Sequence, residues 1–190
     1  MSVLSKDFYS RDPEIVAREL LGKRLIRKLN NELMEGVIVE TEAYCGAEDP
    51  ASRASKGLKP HNKLMFEEPG RAFIYNVHNN WLFNIVAHKP EEVGAVLIRA
   101  VQPVKGINIM KRNRSVEDIT KLTSGPGRLT KAMKIDKSLN GVSVTSNKSE
   151  VYILCSNVKF EIGRSHRIGV REDMQRELRF FMKGNHFVSR

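Results

Sequence analysis

The stretch Val37-Ile38-Val39-Glu40-Thr41-Glu42-Ala43-Tyr44 restricts the fold more than any other segment of the chain. β-Branched residues dominate it, so it reads as a strand. Successive side chains of a strand point to opposite faces. Val37, Val39, Thr41 and Ala43 therefore share one side, and Ile38, Glu40, Glu42 and Tyr44 the other. On a solvent face, two carboxylates in line are ordinary. On a pocket wall, they put Glu42 beside an aromatic platform.

The surrounding pattern supplies partners for this strand. Asp12-Pro13 starts a short helix that Gly22 ends, with Ile15, Val16, Leu20 and Leu21 as its apolar stripe. Lys23–Leu29 is a strand joined to the carboxylate strand through Asn30-Asn31. Residues 45–70 lose regular pattern, apart from single turns at Asp49-Pro50 and Lys63–Phe66, and carry Arg53, Lys56, Lys59, His61 and Lys63. A loop of this length in a compact domain is usually functional or disordered. Arg71–Val77 and Trp81–Ala87 form a hairpin around His78-Asn79-Asn80, and Ala95–Val101 is an apolar strand interrupted by Arg99. A cation in such a run needs a partner or an exit to water.

Farther along, helices are expected at Lys105–Lys111, after a capping box at Ser115-Val116-Glu117-Asp118, and at Arg128–Met133 behind Ser124-Gly125-Pro126-Gly127. The last third reads as strands at Val142–Thr145, Val151–Cys155, Val158–Ile162 and Leu178–Met182. The expected architecture is a single α+β domain over residues 1–190, with a mostly antiparallel sheet and helices beside it.

Charge narrows the function classes. Thirty-two Lys and Arg against 22 Asp and Glu leave +10, which suits a polyanionic partner, although a basic surface can also serve solubility alone. No apolar run approaches the roughly 20 residues that span a bilayer, and no signal peptide is visible at Met1–Asp7. Cys45 and Cys155 make neither a disulfide framework nor a metal motif. The expectation is an intracellular, cytoplasmic protein, with no membrane and no metal.

Walker loops, dinucleotide fingerprints, nucleophile elbows and zinc spacings are all missing from the sequence. What stands out is Glu40, Glu42, Tyr44, Tyr75, Asn84 and Arg99. Taken singly, each is more often structural than functional. Together they suit an enzyme that takes a nucleobase out of the duplex: rings to stack on, an amide to test the base edge, a carboxylate to activate water. A basic surface would grip the phosphates, and a hairpin could fill the gap in the stack.

Val39–Tyr44 resembles the VETEAY motif of the alkyladenine (3-methyladenine) DNA glycosylase family. The similarity continues through Glu48–Ser52, Met65-Phe66 with Pro69-Gly70, Val96–Ala100 with Pro103, Ser124–Leu129, Arg167–Val170 and Leu178–Phe180, in order along nearly the whole chain. The resemblance implies a curved antiparallel sheet with a protruding, DNA-facing hairpin, and monofunctional, cofactor-free hydrolysis of an N-glycosidic bond in base excision repair. It implies a monomer acting on double-stranded DNA that contains an alkylated or deaminated purine. Carried over position by position, Glu42 is the general base, Arg99 steadies it and the water, Tyr44 and Tyr75 stack on the flipped base, and Asn84 excludes the 2-amino group of guanine. Glu40 becomes a structural partner for a basic side chain. Arg128, Lys131, Arg164 and Arg167 are the expected contacts to the DNA backbone.

Two positions depart from the family pattern. Arg53 stands where a His is common; a guanidinium also stacks on a ring, but it repels a cationic base and so favours neutral lesions such as hypoxanthine and etheno adducts. The hairpin tip is Val77-His78-Asn79-Asn80, about one residue shorter than usual, which makes His78 the first choice for the wedge and Val77 the second. The alternative reading is a basic nucleic-acid-binding module without catalysis, either a damage binder or an RNA-binding domain.

Overall fold

The structure is a computed structural model that describes residues 1–189. Its centre is the 13-residue strand β2 (Glu32–Tyr44), one member of an eight-stranded sheet. β1 (Arg24–Leu29) pairs antiparallel with the first half of β2, and β8 (Arg179–Met182) continues that same edge along Glu40–Glu42. β5 (Ala95–Lys105) covers the other edge. Outward from β5 come β4 (Asn80–Val86) and β3 (Ala72–Val77); β6 (Val151–Leu154) borders β1, and β7 (Ile162–Ser165) borders β8. Helices lie beside the sheet: α1 (Lys6–Tyr9), α2 (Pro13–Leu20), α3 (Ile107–Arg114) and α4 (Pro126–Ala132). The mixed α+β class with an antiparallel sheet is as expected. No helix among the described residues is long and apolar enough to cross a membrane.

α2 begins where Asp12 accepts the Glu14 N–H and Pro13 takes the first helical position, and Gly22 follows its end at φ +81°. Its Val16, Ala17 and Leu20 are fully buried in the main core, and Thr41 of β2 donates its hydroxyl to the Ala17 carbonyl at 2.7 Å. That contact sets the face on which Thr41 and Ala43 lie.

Simple alternation along β2 fails at one point. Ile38 packs in the main core, while Val39 belongs to the cluster with Ala100 and Met182. Ile38 opposes Val101, Glu40 opposes Ala100 and Thr41 opposes Ile98, so Val39 is an extra residue on β2 and Arg99 an extra residue on β5. The two bulges cancel in register. Bulges re-aim side chains, and these two remove Ile38 from the carboxylate face and bring Arg99 between Glu40 and Glu42.

The hairpin β3–β4 turns through His78 (φ 47°) and Asn79 (φ 61°), a two-residue left-handed turn in residue types that tolerate it. Its turn end rests on α4: Thr130 donates to the Trp81 carbonyl at 2.9 Å, and a Cβ on Gly127 would meet the Asn80 side chain at 2.7 Å.

Several sequence expectations shift. β5 runs on to Lys105, so α3 starts only after Gly106 (φ +72°). Ser115 is not an N-cap; it ends α3 in the left-handed region at φ 52°, and Asp118 instead caps the short 3₁₀ turn Ile119–Lys121. Val142–Thr145 makes a single bridge, Ser143 to Arg71, because the Ser143 hydroxyl folds back to the Thr145 backbone and hydroxyl. Pairing with β8 begins at Ile162 rather than ending there, and Val158 is 46% exposed.

Candidate active site

A cleft of about 1210 Å³ opens beside the hairpin. Tyr44, Tyr75, Leu97 and Arg99 line it from the sheet, Val77 and His78 from the hairpin, Ser124–Arg128 from the start of α4, and Ile168–Glu172 from the segment before β8. Arg53, Lys56, Arg99, Lys121, Arg128 and Arg171 reach it against one carboxylate, Glu172, so its potential is positive.

Glu42 lies directly beneath this floor, 0% exposed. Its Oε2 accepts the Tyr44 hydroxyl at 2.8 Å, and its Oε1 accepts the Ile168 N–H at 2.8 Å with Arg99 Nη1 at 3.2 Å. All three partners line the cleft. Burial raises the Glu42 pKa above the usual carboxylate range, against the pull of Arg99, the Ile168 N–H and the Tyr44 hydroxyl. Burial, then the charge of Glu42, raises the Tyr44 phenol well above its ordinary value, so that hydroxyl stays a donor.

Glu40, two residues earlier, is held differently. Its Oε1 accepts from Arg99 Nε, Arg179 Nε and the Ser189 hydroxyl, each at 2.8 Å, and its Oε2 accepts the Ser189 N–H at 2.6 Å. Glu40, Glu42, Arg99 and Arg179 thus form a charge-balanced buried group. Burial opposes the charge on Arg99, but Glu42 and Glu40 outweigh it and raise its pKa.

Among the sequence-derived candidates, Glu42, Tyr44, Tyr75 and Arg99 converge on the cleft floor. Arg53 is exposed at the cleft, its guanidinium 4.3 Å from the centre of the Tyr75 ring. Its loop is ordered by Asn62, whose amide donates to the carbonyls of Arg53 (2.7 Å) and Gly57 (2.9 Å). Asn84, at 2% exposure, lies below the cleft surface, and its amide nitrogen is committed to the Phe73 and Leu82 carbonyls at 3.1 and 3.3 Å. Val77 and His78 stand on the cleft rim. Arg128 lines the cleft, Lys131 is exposed outside it, and Arg164 is exposed with Glu177 at 3.5 Å.

Arg167 does not face outward to phosphates. Its side chain is wholly buried. Nε and Nη2 donate to Asp173 (2.9 and 2.6 Å), Nη1 and Nη2 to Asp49 (both 2.7 Å), and Nη1 also to the Ala43 carbonyl (2.9 Å). All five donors of the guanidinium are used. The same group lies 4.6 Å from the Tyr44 ring centre. Burial works against its charge, but Asp49 and Asp173 outweigh that and raise its pKa.

Sequence reasoning missed five contributors: Asp49, Asp173, Arg179, Ser189 and the Ile168 N–H. A backbone donor carries no residue signature. Arg179 had one, because a cation between Leu178 and Phe180 poses the same question of a partner as Arg99.

Comparison with known proteins identifies the family. The profile described as Methylpurine-DNA glycosylase (MPG) matches residues 7–186. A protein of Aeropyrum pernix, named provisionally as a 3-methyladenine DNA glycosylase, is 41% identical over 99% of this chain and 93% of its own length. Proteins of the same provisional name from Mesorhizobium japonicum (41% identical, over 94% of this chain and 86% of theirs) and Carboxydothermus hydrogenoformans (40% identical, over 99% of each) are similar to it throughout. The chain belongs to the methylpurine-DNA glycosylase family.

Proposed function

We propose that this protein is a base-excision repair glycosylase that draws a damaged purine out of duplex DNA and hydrolyses its N-glycosidic bond. One observation carries the reading: a fully buried carboxylate, Glu42, touches three groups that together form the floor of a cation-lined cleft. In this reading Glu42 takes a proton from a water at the floor. The water oxygen bonds to the sugar C1′, the bond from C1′ to the purine nitrogen breaks, and its electron pair leaves with the base. An alkylated, electron-poor purine accepts that pair readily, so positioning and activating water is the main demand on the enzyme.

Arg99 stabilises the carboxylate form of Glu42, as the base role requires. Tyr44 and Tyr75 supply the aromatic walls, and Asn84 below them excludes the 2-amino group of guanine. Val77 and His78 at the hairpin tip fill the space the base vacates, while Arg128, Lys131 and the other exposed cations contact phosphates. Arg53 shares the Tyr75 face with the incoming ring and biases the cleft toward neutral bases. The chain acts as a monomer and as one domain.

The test is release of free base, read as abasic sites on a gel, from duplexes containing hypoxanthine or a methylated purine. The wild type should generate abasic sites, and Glu42→Gln should bind the same duplex while generating none. Binding without base release by the wild type would make the protein a damage binder.

A further inference from the structure

We infer that Ser189 is a positioning residue for Arg99, and through Arg99 for Glu42. The inference rests on the reading of Glu42 as the base. Ser189 is 8% exposed and meets three of the four charged members of the buried group. Its hydroxyl lies 3.2 Å from Arg99 Nη2 and 2.8 Å from Glu40 Oε1, its N–H is 2.6 Å from Glu40 Oε2, and its carbonyl accepts Arg179 Nη2 at 3.0 Å.

The direction of these bonds is forced. A guanidinium only donates and an ionised carboxylate only accepts. The Ser189 oxygen therefore accepts from Arg99, and its one hydrogen goes to Glu40. Arg99 is then held at Nε by Glu40 and at Nη2 by Ser189, which leaves Nη1 aimed at Glu42, 3.2 Å away. Without the hydroxyl, the plane keeps only its Nε contact on that side and can swing away from Glu42.

The segment carrying Ser189 is built to hold that hydroxyl in place. Asn185 donates its amide to Gln102 of β5 at 2.9 Å and accepts the Phe187 N–H at 2.9 Å. Phe187 and Val188 pack on Val39, Ala100 and Met182, beside the paired bulges. The charged and titratable groups facing Glu42 are Arg99 from β5, Glu40 and Tyr44 from its own strand, and Tyr75 from β3, with Arg167 over the Tyr44 ring. Arg99 is the largest of these influences on Glu42 and favours its ionised form. Loosening Arg99 makes Glu42 easier to protonate.

The experiment compares Ser189→Ala and Ser189→Thr with the wild type in single-turnover excision across pH, duplex binding and thermal melting. Loss of one hydrogen bond to charged groups predicts that Ser189→Ala slows excision about tenfold. Its acid limb should move to higher pH, with duplex Kd unchanged and Tm lowered by about a few degrees at most, and Ser189→Thr, which keeps the hydroxyl, should restore rate, limb and Tm. The inference is overturned if Ser189→Ala excises like the wild type, if its rate falls with no movement of the limb, or if rate and Tm fall together and Thr restores neither. Glu42→Gln in the same assay separates the two claims. If it excises normally, the base assignment fails; if it is inactive while Ser189→Ala matches the wild type, only the Ser189 inference fails.

Discussion

Two buried charge clusters flank Glu42, and they are assembled in opposite ways. Glu40, Arg99 and Arg179 sit on β2, β5 and β8, with β5 and β8 hydrogen-bonded through their backbones to the two edges of β2. Arg167, Asp49 and Asp173 sit outside the strands, and their side-chain bonds join residues 45–70 to the segment before β8. In the first cluster the sheet places the charges. In the second the charges place the backbone, including the Ile168 N–H that reaches Glu42. Damage to the second cluster should therefore register first as stability, and damage to the first as rate.

The largest effect follows from the loop cluster. Arg167→Met leaves Asp49, which is fully buried, without its partner, and removing one member of a buried pair costs about 3–5 kcal/mol. Denaturant melts should show that loss, and an unchanged midpoint would break the distinction between the clusters.

Arg99→Gln is the matching change in the sheet cluster. Glu40 keeps Arg179 and both Ser189 donors, and Glu42, which loses its only cation, keeps the Tyr44 hydroxyl and the Ile168 N–H and can take up a proton, so the melting temperature should fall less than in Arg167→Met. Single-turnover excision should fall by about a hundredfold, at the lower end of what acid–base positioning contributes. A change that unfolded the protein instead would place Arg99 with Arg167 as a structural anchor.

A smaller effect is expected at Arg53, which is exposed and touches the cleft through one ring. Arg53→His should raise excision of 7-methylguanine relative to hypoxanthine by a few-fold, in line with about 0.5–1 kcal/mol for an exposed cation over a ring. An unchanged ratio in competition assays would remove Arg53 from base selection. The smallest effect belongs to the surface cations. Lys131→Ala should flatten the dependence of log binding on log salt by about one unit, and no flattening there or at Arg128 would put the DNA face elsewhere.

How much of this was legible in the sequence follows the same division. Strand periodicity located β2, β3, β4 and most of β5, and an Arg within an apolar run marked Arg99 as needing a partner. The paired bulges at Val39 and Arg99 were not legible, because alternation assumes a ladder without insertions. Arg167 was misread for a related reason. A cation in a basic, irregular segment looks like a phosphate contact until the fold brings in Asp49, 118 residues away. Ser189 gave no signal at all, since a single serine acquires its meaning only from the charges around it.

The most direct measurement of the central claim is the pH dependence of single-turnover excision. Glu42 must be ionised to accept a proton, and burial raises its pKa, so the rate should fall as pH drops through a value above the usual carboxylate range. Arg99→Gln removes the largest influence opposing that shift, so the acid limb should move to still higher pH. In Glu42→Gln excision should be lost across that whole window, and the limb with it. A limb that persists in Glu42→Gln would mean that some other group is the base.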